Sequence, residues 1–186
     1  MKLPAAGYRA MPWKNGHGIT HEIAREPATG ETFLWRLSLA EVAADGDFSL
    51  FPGIDRTISL IEGAGMELAF EEAPRKHIDE KFQPFDFSGD WHCRCRLIDG
   101  PIRDFNLMVD RSRMKAETLV LQPSERAREI DVGPGRLLIY CGAGEVAAGG
   151  FSAAAGDTLW LEPGGYRIEG RNATALVMQL YMLRGR

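Results

Sequence analysis

Hydrophobic and polar residues alternate along much of this chain, which is the pattern of β-strands. The segment 32–40 predicts a strand with one apolar face and one face that carries a guanidinium beside a hydroxyl. The apolar positions are Phe33, Trp35, Leu37 and Leu39, and the opposite positions are Leu34, Arg36 and Ser38. The segment 103–110 alternates in the same way. Phe105, Leu107 and Val109 share one face there with Arg103, and Asp104, Asn106 and Met108 share the other.

Short strands are predicted over most of the remaining chain, at residues 55–61, 66–70, 90–98, 117–122, 126–131, 136–141, 145–148, 158–162, 166–169 and 174–183. Glycine or proline separates nearly all of them, and no window has the period of a three-turn helix. Met66–Phe70 is expected to form a hairpin with the strand before it. The charged segment 71–87, which contains Pro74 and Pro84, is expected to be a surface connection. The pattern therefore predicts an all-β chain built as a sandwich or barrel.

A repeated tripeptide suggests that the chain contains two similar barrels. Gly63-Ala64-Gly65 and Gly142-Ala143-Gly144 each lie between predicted strands, where we expect a turn, and their spacing is about that of a small barrel repeat. The segment 156–164 begins with Gly-Asp and ends with Pro-Gly, a rhythm that resembles cupin barrels. We therefore expect a bicupin, with jelly-roll barrels at residues 1–110 and 111–186 packed tightly together as one compact unit.

Composition limits the classes of partner. The chain has 186 residues, 45% of them hydrophobic, with a net charge of -4, so a nucleic-acid partner is not expected. No segment reaches the roughly 20 apolar residues that cross a bilayer, so no membrane association is expected. Three cysteines, an odd number, argue against a disulfide framework and for a reducing compartment, the cytoplasm. Cys93 and Cys95 share one face of a strand and are expected to be buried.

The segment 11–22 concentrates more hydrogen-bonding chemistry than a turn requires. It holds the indole of Trp13, an ammonium, an amide, two imidazoles and the carboxylate of Glu22. We interpret it as one wall of a binding pocket. The alternative is a loop with no such role, because an Asn-Gly pair such as Asn15-Gly16 is common in turns for conformational reasons alone.

Four sequence blocks together resemble the signature of the HutD/Ves family. They are Trp13-Lys14-Asn15-Gly16, Phe33-Leu34-Trp35-Arg36-Leu37-Ser38, Phe48-Ser49-Leu50-Phe51-Pro52-Gly53-Ile54-Asp55-Arg56 and Arg103-Asp104-Phe105-Asn106-Leu107-Met108. The resemblance is strong over residues 8–110. It implies a bicupin fold, a bacterial cytoplasmic setting and a link to histidine utilisation. Members of the HutD branch are thought to govern that pathway by binding N-formylglutamate or urocanate rather than by known catalysis.

The chain departs from the family motif at two positions. The family motif reads Trp-Lys-Asn-Gly-Gly-Gly-x-Thr-Arg-Glu, whereas here His17 stands at a glycine position and His21 at the arginine position. An arginine that could pair with an anion is thus replaced by a group that is mostly neutral at pH 7. The departure bears directly on which ligand is bound.

The predicted pocket draws on all four blocks. Three cations can grip carboxylates, polar side chains can contact amide or hydroxyl groups, and apolar side chains, among them Trp35, can exclude water. The predicted ligand-binding residues are Trp13, Lys14, Asn15, Gly16, Thr20, Arg36, Ser38, Phe51, Arg56, Asp104, Asn106 and Met108. Other roles are open for some of them, since tryptophans are often core residues, and Arg56 and Arg103 each stand beside an aspartate as surface charges can. Trp91, Phe151 and Trp160 are assigned to the core.

Catalysis is the alternative function. His17, His21 and Glu22 could bind a metal, but the cupin pattern His-x-His followed by Glu is absent, and on a strand two residues four apart are separated by about 13 Å. Asp104 or Glu22 could act as a general base, yet the sequence shows no nucleophile and base pair. We therefore expect no metal and no cofactor, and a chain that senses or buffers a small anionic metabolite. The alternative is a cupin-type enzyme acting on a small carboxylate. Barrels of this kind often pair through edge strands, which suggests a homodimer.

Overall fold

The computed structural model describes residues 1–13, 16–30, 32–122 and 127–183. These residues form β-strands and one 3-10 turn, Ala5–Gly7, with no α-helix among them. The prediction of an all-β chain is therefore confirmed. Within the same described ranges, no helix is long and apolar enough to cross a membrane.

The chain divides into two compact units. The N-terminal unit is Arg9–Ser112, and the C-terminal unit combines Met1–Tyr8 with Arg113–Arg186. The boundary near residue 112 lies close to the predicted one, but the first eight residues belong with the C-terminal segment. Lys2 and Leu3 pair there with a strand at Leu159 and Thr158. Tyr8 adds a hydrogen bond of 2.8 Å from its hydroxyl to the carbonyl of Gly156.

The N-terminal unit contains two antiparallel sheets. Its strands are β2 (Arg9–Pro12), β3 (Gly18–Glu26), β4 (Trp35–Val42), β5 (Gly46–Asp47), β6 (Ile54–Glu62), β7 (Met66–Phe70), β8 (Lys76–Ile78), β9 (Phe85–Ser88), β10 (Cys93–Leu97) and β11 (Ile102–Asp110). One sheet has the order β2-β3-β4-β11-β6-β9, and the other has the order β5-β10-β7-β8. The longest strands of the first sheet, β3, β4, β6 and β11, are neighbours, so the two alternating segments of the sequence lie side by side.

The core of this unit is formed by side chains from both sheets. Ile58 and Leu60 of the larger sheet are fully buried in one apolar cluster with Met66 and Leu68 of the smaller sheet. Cys93 and Cys95 belong to the same cluster, as their shared strand face predicted. Side chains from the inner faces of the two sheets therefore pack against each other in one cluster.

Two sequence predictions about this unit are wrong. Strand β7 is not the hairpin partner of β6, because β6 pairs with β11 and β9 while β7 pairs with β10 and β8. The positive φ angles of Gly63 and Gly65, 97° and 131°, lie where the chain passes from one sheet to the other. The segment 71–87 is also more than a surface connection, since it contains β8 and the start of β9 and buries Ile78 and Phe87.

The C-terminal unit is one seven-stranded sheet that curves around an apolar interior. Its strands are β1 (Lys2–Leu3), β12 (Met114–Leu121), β13 (Ala127–Val132), β14 (Gly135–Ala148), β15 (Phe151–Ala154), β16 (Thr158–Leu161) and β17 (Gly164–Met182). Strand β14 joins two predicted strands, 136–141 and 145–148, and β17 joins the predicted strands 166–169 and 174–183. The tripeptide Gly142-Ala143-Gly144 lies inside β14, where the register with β17 shifts, and it does not form the turn that was predicted there. Phe151 is 43% exposed and not in the core as predicted.

Candidate functional site

A cavity of about 500 Å³ opens in the N-terminal unit, above the apolar cluster between its sheets. It is lined by side chains from strands β2, β3, β4, β5, β6 and β11 and from the loop that follows β5. The lining residues are Met11, Pro12, Trp13, Thr20, Arg36, Ser38, Ala40, Asp47, Phe48, Ser49, Phe51, Arg56, Asp104, Asn106 and Met108. All four sequence blocks that carry the family resemblance contribute to this list.

Strand register explains why polar side chains from distant parts of the sequence meet here. Met108 of β11 lies opposite Arg36 of β4 on one side and opposite Arg56 of β6 on the other. Residues that lie opposite each other on neighbouring strands point to the same face of a sheet. The row Arg36, Met108, Arg56 therefore runs across the cavity wall, and the pair Ser38 and Asn106 forms the next row.

The other face of β4 and β11 is apolar at its centre. Trp35, Leu37 and Leu39 of β4 and Phe105 of β11 are fully buried there. Trp35 was predicted to wall the pocket, and that prediction is wrong, because it alternates with Arg36 and so points away from the cavity. Its indole Nε1 donates a hydrogen bond of 3.0 Å to Oε2 of Glu26 instead.

Arg36 carries its own counter-ion. Its Nε donates a hydrogen bond of 2.7 Å to Oε2 of Glu22, and both side chains are largely shielded from solvent, with 15% and 9% of their surfaces exposed. A nitrogen of Arg9 lies 3.5 Å from the other carboxylate oxygen of Glu22. The charge of Arg36 is thus largely balanced within the protein.

Arg56 has a different environment. It is 6% exposed, and no carboxylate oxygen in the described part of the chain lies within 4.0 Å of its guanidinium. Three aromatic rings surround it, those of Phe87, Phe48 and Phe51, at 4.8, 5.2 and 5.5 Å from the guanidinium carbon. Burial lowers the pKa of Arg56 to about 10, although Asp104 partly offsets this effect. Arg56 is therefore a cation at neutral pH that the aromatic faces stabilise in place of a counter-ion.

Asp104 is the most deeply buried ionisable group of the cavity wall, with 1% of its surface exposed. Burial raises the pKa of its carboxyl group to about 7, and the nearby charge of Arg56 and a hydrogen bond with the side chain of Asn106 partly offset this rise. Oδ1 of Asp104 and Oδ1 of Asn106 are both buried and have no hydrogen-bond partner among the described residues. The cavity thus offers acceptor oxygens as well as a cation.

The rim of the cavity depends on Trp13. Its indole Nε1 donates a hydrogen bond of 2.8 Å to the hydroxyl of Thr20. The ring lies over Gly18, where a Cβ atom would come within 3.0 Å of the indole and still closer to the carbonyl of Glu41. Glycine at position 18 therefore makes room for the indole.

Nine of the twelve predicted site residues line this one cavity. They are Trp13, Thr20, Arg36, Ser38, Phe51, Arg56, Asp104, Asn106 and Met108. Gly16 is exposed with a φ angle of 73° and does not line the cavity, whereas Lys14 and Asn15 lie outside the described residues. That any of them binds a ligand stays a prediction. Arg103 points to the other face and contacts Glu62 at 3.3 Å, as a surface charge would.

Ser49, whose hydroxyl is among the polar groups that the sequence offers to an amide or hydroxyl of a ligand, also lines the cavity. Sequence reasoning missed the five other lining residues, which are Met11, Pro12, Ala40, Asp47 and Phe48. Signals for three of them were present. Ala40 continues the alternation that starts at Arg36 and Ser38, and Met11 and Pro12 belong to the segment interpreted as a pocket wall. The sequence pattern did not indicate Asp47 or Phe48, because their place in the lining depends on how β5 and the loop after it fold.

The proposed alternative metal ligands do not form a set. His21 Nε2 lies 3.1 Å from a carboxylate oxygen of Glu41, and Glu22 is bound to Arg36. Among the described ranges, the group of residues whose atoms are spaced to share a metal ion is Glu71, Glu72 and His92, all exposed and outside the cavity. The pKa of His92 is raised, chiefly by its hydrogen bond to Glu72.

Comparisons with other proteins show which family the chain belongs to. The model of the HutD family matches residues 5–178. An uncharacterised 21.2 kDa protein in the hutC 3' region of Pseudomonas putida is 43% identical over 115 residues, and protein Ves of Citrobacter koseri is 41% identical over 120 residues. The first match covers 61% of this chain and the second 60%, and each spans 60% of the relative. This chain thus aligns with less than two thirds of the length of either relative.

Solved structures extend the likeness to the whole chain. HutD from Pseudomonas fluorescens has a TM-score of 0.89 and 35% identity, with 100% of this chain and 99% of that chain covered. A cupin 2 conserved barrel domain protein from Leptotrichia buccalis has a TM-score of 0.56 at 13% identity, covering 94% and 96% of the two chains, which shows a shared fold alone. The predicted bicupin fold class is thus confirmed. Because the family model spans nearly all of its length, the chain belongs to the HutD family.

Proposed function

We propose that this chain binds a small anionic metabolite of histidine utilisation, N-formylglutamate or urocanate, in the cavity of the N-terminal unit. By binding it, the chain senses or buffers that metabolite in a regulatory role. The observation that carries the proposal is Arg56, a buried cation on the cavity wall with no carboxylate of the described residues within 4.0 Å. A guanidinium in that state is prepared for a ligand carboxylate, which it can bind through two parallel hydrogen bonds.

The other walls of the cavity suit a small planar or short-chain acid. Phe48, Phe51, Trp13 and Met108 provide apolar surface, and a volume of about 500 Å³ lies within the usual range of small-molecule sites. The link to histidine utilisation is drawn from the relative in the hutC 3' region and from the family name. All three cysteines are free and buried, which agrees with the reducing cytoplasm that we propose as the location.

Calorimetric titration tests the proposal directly. The wild-type protein is titrated with N-formylglutamate and with urocanate, and the same titrations are made with Arg56→Met and with Arg103→Met. Arg103→Met is the matched control, because it makes the same exchange at a residue of β11 that points away from the cavity. We expect at least one ligand to bind, Arg56→Met to weaken it by about 10-fold to 100-fold, and the control to leave it unchanged. Binding of neither ligand, or equal loss in both variants, would contradict the proposal.

The regulatory role has its own test. A strain that lacks this gene is complemented with the wild-type gene or with Arg56→Met, and transcripts for histidine breakdown are measured during growth on histidine. We expect the Arg56→Met strain to behave like the deletion strain at equal protein level. Normal transcript levels in that strain would show that ligand binding at Arg56 has no regulatory effect.

A second candidate function is catalysis on the same carboxylate. Asp104 favours it, because a carboxyl group whose pKa is raised to about 7 inside a cavity is suited to exchange protons at neutral pH. Each ligand is incubated with the protein and followed by proton NMR. Product that forms with the wild-type protein and is lost in Asp104→Asn would establish an enzyme, and an unchanged ligand would support the binding role.

A further inference from the structure

Two oxygen atoms in the cavity wall point to a property of the ligand beyond its charge. Oδ1 of Asp104 and Oδ1 of Asn106 are buried, lie two residues apart on one face of β11, and have no hydrogen-bond partner among the described residues. Their residues are 1% and 5% exposed. A buried acceptor without a donor is unfavourable, and such atoms are rare in folded proteins outside functional sites.

Two donors of the cavity wall are engaged with other partners. The indole of Trp13 donates to Thr20 and the Nε of Arg36 donates to Glu22. The guanidinium of Arg56 lies among the rings of three phenylalanines, with no contact within 4.0 Å to the carboxylate of Asp104. The cation and the two acceptors therefore form separate parts of the wall.

The separation between these parts can be read from the strand register. Arg56 lies opposite Met108, and Asn106 and Asp104 follow at two and four residues further along β11. Successive residues on one face of a strand are about 7 Å apart, so Asn106 is one such step and Asp104 two steps from the row of Arg56. A simple anion such as acetate cannot reach both parts, whereas an acid of several more atoms can.

We propose that the cavity selects a carboxylate that also carries an N–H or O–H donor, with the carboxylate against Arg56 and the donor against Oδ1 of Asp104 and Oδ1 of Asn106. The inference rests on the proposed function, since it concerns the same cavity, and it adds the chemical class of the ligand. A site whose buried acceptors remain unpaired rejects an analogue that lacks the donor far more strongly than it rejects a small change in apolar bulk.

The ionisation of Asp104 provides a second measurement of the donor contact. A donor placed against the carboxyl group stabilises its charged form and so lowers its pKa from about 7 in the free protein. A ligand carboxylate at Arg56 has the opposite effect, because it weakens the influence of that cation on Asp104, so binding near pH 7 should release part of a proton only where the donor contacts Asp104 directly. The apparent binding enthalpy should then differ between buffers with different enthalpies of ionisation, and it should not differ in Asp104→Leu.

Matched ligands that differ only in the donor test the inference. Urocanate is compared with 3-(oxazol-4-yl)acrylate, in which a ring oxygen stands in place of the ring N–H and the second ring nitrogen is kept. N-formylglutamate is compared with 2-formyloxyglutarate, in which an ester oxygen replaces the amide N–H. Each analogue keeps the carboxylates and the size of its parent. We expect the parent that binds to bind at least 10-fold more tightly than its analogue to the wild-type protein.

Variants of the two acceptors complete the test. Asp104→Leu, Asn106→Leu and the double variant replace each polar side chain by an apolar one of similar size, and their folding is checked by thermal unfolding. We expect the preference for the parent ligand to fall to within 3-fold in the double variant. If Asp104→Leu does not fold, Asn106→Leu and the buffer dependence of the wild-type enthalpy carry the test.

The outcomes separate the two proposals. Equal binding of parent and analogue to the wild-type protein would overturn the donor inference while leaving a carboxylate site at Arg56 in place. A preference that persists in the double variant would also overturn it, because the donor would then be read elsewhere. Failure of all four compounds to bind would overturn the proposed function, and the donor inference with it.

Discussion

The guanidinium of Arg36 donates a hydrogen bond of 2.7 Å from Nε to Oε2 of Glu22, so this arginine of the cavity wall has its own counter-ion. Arg56, on the other side of Met108, has none among the described residues. One arginine is therefore part of the protein's internal charge balance, whereas the other has no counter-ion among the described residues, as the proposed carboxylate site requires. The two side chains stand in the same row of the sheet, and their difference comes from their neighbours.

The Arg36 and Glu22 pair should contribute to stability as a unit. Both side chains are largely shielded from solvent. Removal of Glu22 leaves Arg36 without its carboxylate, and removal of Arg36 leaves Glu22 with only the longer contact to Arg9, at 3.5 Å. We expect Arg36→Met and Glu22→Gln each to lower the free energy of unfolding by about 2 kcal/mol. In the double variant the loss should be less than the sum by about 1 kcal/mol or more. Urea unfolding of the four proteins measures this coupling, and purely additive losses would contradict it.

Arg56→Met, in contrast, should not lower the free energy of unfolding. The lowered pKa of Arg56 shows that burial opposes its charge, so an apolar side chain of similar length removes an unfavourable term. The cation–π contacts with three phenylalanines are lost at the same time, which offsets part of the gain. We expect the free energy of unfolding to be unchanged or to rise by about 1 kcal/mol. A fall of about 2 kcal/mol or more, as large as that in Arg36→Met, would show that Arg56 is held for stability.

Much of this site could be predicted from alternation alone. Arg36 and Ser38 on β4, and Asp104, Asn106 and Met108 on β11, share a cavity because side chains two residues apart on a strand share a face. The same alternation places Trp35 on the apolar face, with Leu37 and Leu39. Its assignment to the pocket was wrong because it rested on the chemistry of the indole and not on the position of the residue in the strand.

Other features depend on contacts between distant segments and are not visible in a local pattern. The sheet to which β7 belongs is set by its pairing with β10, which lies beyond the charged segment 71–87. Short strands such as β8 give too few residues for a period to emerge. The pairing of Lys2 and Leu3 with β16 is likewise long-range, so the membership of the first eight residues could not be read from their sequence.

The pH dependence of stability should report the carboxyl group of Asp104. Its pKa is raised from 3.8 to about 7 on folding, so the folded protein binds this proton more tightly than the unfolded chain. The stabilisation from the bound proton is fully present below about pH 4 and is lost as the pH rises to about 7. Relative to Asp104→Asn, the free energy of unfolding of the wild type should fall in this window by up to about 1.4 kcal/mol per pH unit.

The measurement for Asp104 is urea unfolding of both proteins between pH 4.5 and 8, in steps of about half a unit, chosen to span the titration range. The difference between the two proteins should level off as the pH approaches about 8, because the carboxyl group is then mostly charged in both states. Parallel curves over the whole range would show that Asp104 does not titrate in this window. A difference that grows in favour of the wild type with rising pH would contradict the raised pKa.

Gly18 should be intolerant of even one added methyl group. A Cβ atom there would meet the carbonyl oxygen of Glu41, a backbone atom of the paired strand β4, and would lie 3.0 Å from the indole of Trp13. Neither neighbour can move without disturbing the pairing of β3 with β4 or the hydrogen bond from Trp13 to Thr20. We expect Gly18→Ala to lower the free energy of unfolding by about 2 kcal/mol and to weaken ligand binding through the displaced indole. Gly46→Ala is the control, since nothing lies within 4 Å of its added Cβ. If both variants unfold at the same temperature, the close packing of Trp13 over Gly18 is not needed to hold the rim of the cavity.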